Sequence, residues 1–249
     1  MASHPIYQIY AELEEYEPKI WRRFEVMNNI TMARLAYILM TLFEMKANHL
    51  YNFEVDELEN FENYLKTRDQ KIEMFEGIET HFKIAEYGCV FGDEDQTYVA
   101  DGHKPLEDAS NILMKRILDH ENDKVVFRYD FGDNWHVKVI LEKIYEDQNL
   151  SGKELPRLIE GQGYGIIEDC GGVMGLEDVR KAFKKKQGEE YEMYCEWLGV
   201  KELDLDRCDI EDLNFRLKKI PRIYQDSYEY GLEPTKQSLN LLERKYIKK

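Results

Sequence analysis

Residues 125–146 read VVFRYDFGDNWHVKVILEKIYE. Two runs rich in β-branched and aromatic side chains, VVFRYDF (125–131) and WHVKVILEKIYE (135–146), flank Gly132-Asp133-Asn134, residue types that tolerate positive φ. The pattern predicts a β-hairpin. Asp130-Phe131-Gly132 also matches the triplet whose aspartate holds magnesium in protein kinases. That reading needs a Gly-rich phosphate loop, a lysine on a preceding strand and an upstream HRD, and the sequence has none of them. The residues before the triplet, HENDKVVF (120–127), lead directly into a strand, and the kinase reading is rejected.

Working outward, IYQIYAELE (6–14) alternates between two faces and IWRRFEV (20–26) follows a turn at Pro18, which predicts a second hairpin. Thr31 is placed to cap a helix over MARLAYILMTLFEM (32–45), whose Leu35, Leu39 and Leu42 share one face and whose Met32, Ile38 and Met45 widen it. HLYNFEV (49–55) is the next strand, so the first 56 residues run β-β-α-β. A surface helix is expected from Asp56 to about Phe75, then a strand over 81–91, a polar loop and a helix from Leu106 to Asp119. After the 125–146 hairpin come a Gly-rich loop, GQGYGIIEDCGG (161–172), and helices near 176–187, 189–198 and 209–220. A connector after Pro221 leads to a last helix over roughly 235–247.

The 249 residues are 43% apolar and 12% aromatic, the composition of a folded globular chain. Fifty acidic against 34 basic side chains give a formal charge of −16, which repels phosphate backbones at long range and makes duplex DNA a poor partner. The four cysteines, Cys89, Cys170, Cys195 and Cys208, form no CxxC pair, and the N-terminus shows no basic segment followed by an apolar run. Reduced thiols and a cytoplasmic location are expected, with no membrane partner.

Several polar residues fall on strand ends and loops, where sites on a rigid sheet are usually built. Asp130, Asp133, His136, Glu168 and Asp169 offer the oxygen and imidazole donors that divalent ions take. The structural alternative has Asp133 and Asn134 bonding turn amides, with Asp130 paired to Arg128 or Lys138. Cys170, in Glu168-Asp169-Cys170-Gly171-Gly172 ahead of a helix, is either a nucleophile served by His49 or His136, or a buried structural thiol. Trp21 and Arg23 share one strand face and Arg22 points to the other, so one arginine is available for an anion or for one of the many carboxylates. The segment from Asp93 fails as a calcium loop because Tyr98 stands where glycine is needed.

PKIWRRFEV (18–26), the helix after Thr31, NHLYNFEV (48–55), YDFGDNWHVKVILEKI (129–144) and LPRLIEGQGYGIIEDCGGVMGLEDV (155–179) together resemble the plasmid pRiA4b ORF-3-like family. LDLDRCDIEDLNFRLKKI (203–220) adds a weaker match. Members of that family are often described as mobile-element passengers. The resemblance implies an α+β fold, a largely antiparallel sheet packed by helices with additional C-terminal helices, and it implies no particular reaction or cofactor. The chain departs from the family in two places. Gly165-Ile166-Ile167 stands where many members are richer in proline. His136 precedes the position two residues after the tryptophan, here Val137, where many members carry histidine. That change moves the imidazole to the opposite strand face. The resolvase-like label of some members is not inherited, since no basic DNA-binding module or serine nucleophile is evident.

These readings assign residues 1–220 to the α+β domain, with an insertion-like acidic segment at about 56–80, and 221–249 to a helical extension. The expected function is that of an accessory or binding protein with an unidentified ligand, held by Trp21, Arg23, His49, Asp130, Asp133, Trp135, Glu168, Asp169 and Cys170. One alternative is a metal-assisted hydrolase or nuclease using Asp130, Asp133, His136 and Glu168. The other is a protein-interaction module acting through the acidic 54–62 face or the basic C-terminal helix.

Overall fold

The computed structural model describes residues 4–72, 82–90, 101–244 and 246. Its strands are β1 (Ile6–Leu13), β2 (Trp21–Met27), β3 (Tyr51–Asp56), β4 (Ile84–Gly88), β5 (Glu107–Asp108), β6 (Lys124–Tyr129), β7 (Trp135–Tyr145) and β8 (Arg157–Gln162). The helices are α1 (Met32–Leu42), α2 (Glu57–Thr67), α3 (Gly172–Lys185), α4 (Glu189–Leu198), α5 (Ile210–Leu217), α6 (Ile220–Tyr230) and α7 (Lys236–Leu242). Among the described residues the strands form one sheet in the order β5-β4-β3-β6-β7-β1-β2-β8. Every pairing is antiparallel except β4 with β5. This is an α+β fold with a mostly antiparallel sheet and helices added at the C-terminal end.

Alternation along the strands gives the sheet two unlike faces. Ile9, Ala11, Leu13, Phe24, Phe53, Phe127, Tyr129, Trp135, Val137, Val139 and Leu141 are buried on one side, in a single apolar cluster with α1. Thr31 caps α1 by accepting from Arg34 N at 3.1 Å. Nearly every side chain of α1 is buried, because α5 and α6 pack on the surface that the sheet leaves uncovered.

The other face is an ion-pair ladder. Arg23 bonds Glu142 at 2.7 Å and Glu160 at 2.6 Å, Arg157 bonds Glu25 at 2.5 Å, Lys19 bonds Glu12 at 3.0 Å, and Arg128 pairs with Glu54. Trp21 stacks on Tyr10 with ring centroids 5.7 Å apart, and the Arg23 guanidinium lies over both rings. The carboxylates of this face already have cationic partners, so it has the chemistry of a solvated sheet surface.

Arg22 points inward and is fully buried. Its guanidinium donates to four main-chain carbonyls, Leu42 O at 2.9 Å, Trp21 O at 2.8 Å, Gln162 O at 2.7 Å and Tyr164 O at 2.7 Å. One of these is an orphan carbonyl at the negative end of α1. The clamp ties β2, the end of α1 and the start of the Gly-rich loop into one unit. Nearby, Arg216 of α5 bonds Glu44 at 2.7 Å, with both side chains nearly inaccessible, and Arg244 reaches the same carboxylate.

Three elements differ from the sequence reading. The helix expected over Leu106–Asp119 is instead the short strand β5 and one 3₁₀ turn, Met114–Arg116. Its carbonyls have another use: Ile112 O and Ala109 O accept the first amides of α1, Met32 N at 2.8 Å and Ala33 N at 3.0 Å. Extended backbone here therefore satisfies donors that a helix start leaves open. The connector expected after Pro221 is α6, with the proline in its first turn, where the missing N–H costs nothing. Edge strand β8 went unpredicted because RLIEGQ has no alternating pattern. The ends of the strand expected over 81–91, most of the polar loop after it, and parts of the helices expected over 56–75 and 235–247 lie outside the described residues.

Candidate functional site

Strand β6 ends in a turn whose sequence forces an unusual backbone. Asp130 and Asn134 both sit at positive φ, +55° and +56°. Asp130 Oδ1 accepts Gly132 N at 3.0 Å and Asp133 N at 3.3 Å, which makes Asp130 the residue that shapes the turn. The sequence reading gave that part to Asp133 and Asn134. Arg128 and Lys138, the expected partners of Asp130, pair instead with Glu54 and Glu12.

The second loop leaves β8 and is fixed against the end of α1. Ile166 N donates to Phe43 O at 2.9 Å, and at Gly165 a Cβ would stand 2.5 Å from the same oxygen, so no larger residue fits that approach. Two residues on, the buried Glu168 carboxyl accepts Lys46 N at 2.5 Å, Tyr129 Oη at 2.6 Å and Asn48 Nδ2 at 3.4 Å. It bonds β6 to the segment between α1 and β3. Burial and the adjacent Glu168 push the Tyr129 phenol far above its ordinary value, keeping it a donor.

The two loops meet. Asp133 Oδ2 accepts Gly171 N at 3.2 Å, and a Cβ on Gly172 would stand 2.6 Å from Asp133 O. Asp169, at φ +60°, projects its carboxylate beside that of Asp130. His49 enters from the α1–β3 connection, its carbonyl bonded by Tyr228 of α6 and its ring edge-on to Tyr129. His49 Nε2 lies 3.5 Å from Asp130 Oδ2 and 3.6 Å from Asp169 Oδ1. The three donor atoms fall within 4.8 Å of one another. The cluster grades from inside to outside: the side chains of Asp130, His49 and Asp169 are 10%, 29% and 73% exposed.

Of the residues singled out from the sequence, His49, Asp130 and Asp169 come together, with Asp133 and Glu168 fastening the loops that carry them. Trp135 is fully buried at the start of β7. Trp21, Arg23 and His136 do not share the cluster. Trp21 and Arg23 belong to the ion-pair face, and His136 Nε2 lies 3.1 Å from Asn134 Oδ1. The Cys170 thiol is held protonated, pushed up to about 12 chiefly by burial, and is 3.5 Å from Gly172 O. Such a thiol is a poor nucleophile at neutral pH. Sequence reasoning missed Asn48 and Tyr129, the partners of Glu168. An inward-facing tyrosine in the last position of a strand is their only trace in sequence.

The model of the plasmid pRiA4b ORF-3-like protein family matches residues 5–212. The chain belongs to this family. It is 23% identical over 209 residues to the uncharacterized protein y4hQ of Sinorhizobium fredii (strain NBRC 101917 / NGR234), covering 84% of this chain and 89% of that protein. The crystal structure of MM3350, a protein of unknown function from Methanosarcina mazei Go1, superposes with a TM-score of 0.62 at 26% identity. That match covers 84% of this chain and 97% of the other. Both relatives are of unknown function. The family match takes in every residue of the His49–Asp130–Asp169 cluster and both loops that build it.

Proposed function

We propose that this family member is a binding protein whose ligand is cationic and seats at the junction of the 130–134 turn and the 163–172 loop. The observation that carries the reading is the convergence of His49 Nε2, Asp130 Oδ2 and Asp169 Oδ1 from three separate segments. Two like-charged carboxylates held this close repel each other unless a positive group sits between them. The metal-assisted hydrolase reading has less support, since Glu168 and Asp133 give oxygens to the amides and phenol that hold the loops. A role as accessory to a mobile element rests on the family resemblance alone. Among the described residues no helix is long and apolar enough to cross a membrane, and the four cysteines are free, which supports work in the reducing cytoplasm.

The test is thermal unfolding of the wild type and of a His49→Ala/Asp169→Asn double variant, with inorganic divalent ions and with organic cations such as spermidine and arginine methyl ester. At a ligand concentration 100 times the dissociation constant, binding adds about 2.7 kcal/mol of stability. At least one cation class is expected to raise the wild-type midpoint and to leave the double variant unmoved. Equal shifts in both proteins, or none in the wild type, overturn the reading.

A further inference from the structure

We infer that His49, Asp130 and Asp169 bind a divalent first-row transition ion, with the remaining coordination positions open to water or a second ligand. This rests on the binding reading above and specifies its ligand. The first support is geometric. A tetrahedral ion with bonds of about 2.1 Å holds its donor atoms about 3.4 Å apart, and His49 Nε2 stands 3.5 and 3.6 Å from the two carboxylate oxygens. Those separations exceed a good N–H···O hydrogen bond and match the edge of a metal polyhedron.

The second support is the fixed carboxylate of Asp130, whose side chain is nine-tenths buried beneath the cluster. Asp130 is more than nine-tenths buried, and its Oδ1 is occupied by two turn amides, which fixes the carboxylate plane. Oδ2 is left facing His49 Nε2 at 3.5 Å, longer than a good hydrogen bond. The hydrogen bonds on Oδ1 then act as the outer support that orients a ligand carboxylate.

The donor set selects the ion. One imidazole with two carboxylates suits zinc, manganese or cobalt, whereas calcium takes six to eight oxygens. Exposure of Asp169 leaves the outer side of the cluster open, so the ion keeps exchangeable positions.

A built-in control lies at the other end of β6. The donor atoms of Asp119, His120 and Asp123 also lie within 4.8 Å of one another. There, however, the donors are spent inside the protein: Asp123 Oδ2 accepts Asp119 N and His120 N, and His120 Nδ1 lies 2.6 Å from Asp119 Oδ1. This second group is expected to bind no ion.

The experiment is calorimetric titration of the chelator-treated full chain with zinc and manganese chloride, with magnesium and calcium as comparison, and cobalt followed by visible absorption. One equivalent of a transition ion is expected to bind. His49→Ala and Asp169→Asn should each weaken it by about tenfold or more and remove the tetrahedral cobalt bands, while His120→Ala leaves both unchanged. Circular dichroism confirms that the variants are folded. Absence of transition-ion binding to the wild type, or binding that survives both site variants, overturns the inference. If organic cations alone raise the wild-type midpoint and depend on His49 and Asp169, the metal inference falls and the binding reading stands. If no cation of either kind binds, both fall.

Discussion

Two Asp/His clusters bracket β6, one starting from Asp123 just before the strand and the other from Asp130 just after it. Composition does not tell them apart, since each holds one histidine and two aspartates. They differ in where the polar atoms point. At Asp123 the carboxyl turns back onto the main chain and closes the turn that starts the strand, so the cluster is a device of folding. At Asp130 only one oxygen serves the turn, and the other joins His49 and Asp169. Spare donor capacity, rather than the presence of ligand-type residues, separates a candidate site from a turn.

The largest effect is expected just beneath the site. Glu168→Ala leaves the Tyr129 hydroxyl and the Lys46 amide without their buried acceptor, and should cost about 2–5 kcal/mol in denaturant unfolding. A cost below about 1 kcal/mol would mean that the loops are held by other contacts. Asp123→Ala comes next, at about 1–3 kcal/mol, since two main-chain amides of the turn lose their buried acceptor.

The Asp123 cluster also carries a pH signature. Burial, with the nearby Asp119 charge, pushes the Asp123 carboxyl above its ordinary value against the two amides that favour its ionised form. The folded chain therefore binds this proton more tightly than the unfolded chain. Its contribution to stability is complete below about pH 3.9 and fades as pH rises through the folded value. The stability difference between wild type and Asp123→Asn should accordingly shrink as pH rises from about 4. A difference independent of pH contradicts this account of Asp123. The smallest effect belongs to the open cluster: without added ion, His49→Ala and Asp169→Asn should each change stability by no more than about 0.5 kcal/mol. A large loss in either would place the cluster with Asp123, as part of folding.

Much of this arrangement was legible in the chain. The hairpin around Gly132, the strand pair at the N-terminus and the Thr31-capped helix announced themselves through alternation, turn residues and an apolar stripe. All three cluster residues, His49, Asp130 and Asp169, lie within the stretches that carry the family resemblance. The sequence reading grouped these three with six other residues as one ligand site, but which of the nine meet was not legible, because that depends on the Glu168 carboxyl fastening β6 to the α1–β3 connection and on Gly165 lying against Phe43 O. Those are tertiary contacts between segments more than a hundred residues apart. His136 illustrates the converse. It lies close to Asp130 in sequence, but strand alternation turns it to the ion-pair face. The lost helix at 106–119 has the same kind of cause, since its apolar spacing suits a helix while its carbonyls are needed to start α1.

The most direct measurement is anomalous scattering from crystals of the full chain grown with manganese or zinc. A peak about 2.1 Å from His49 Nε2, with oxygens of Asp130 and Asp169 completing its protein ligands, is the predicted result. No peak there, or an ion at Asp119–His120–Asp123 in its place, would contradict the claim that the open cluster is the ligand site.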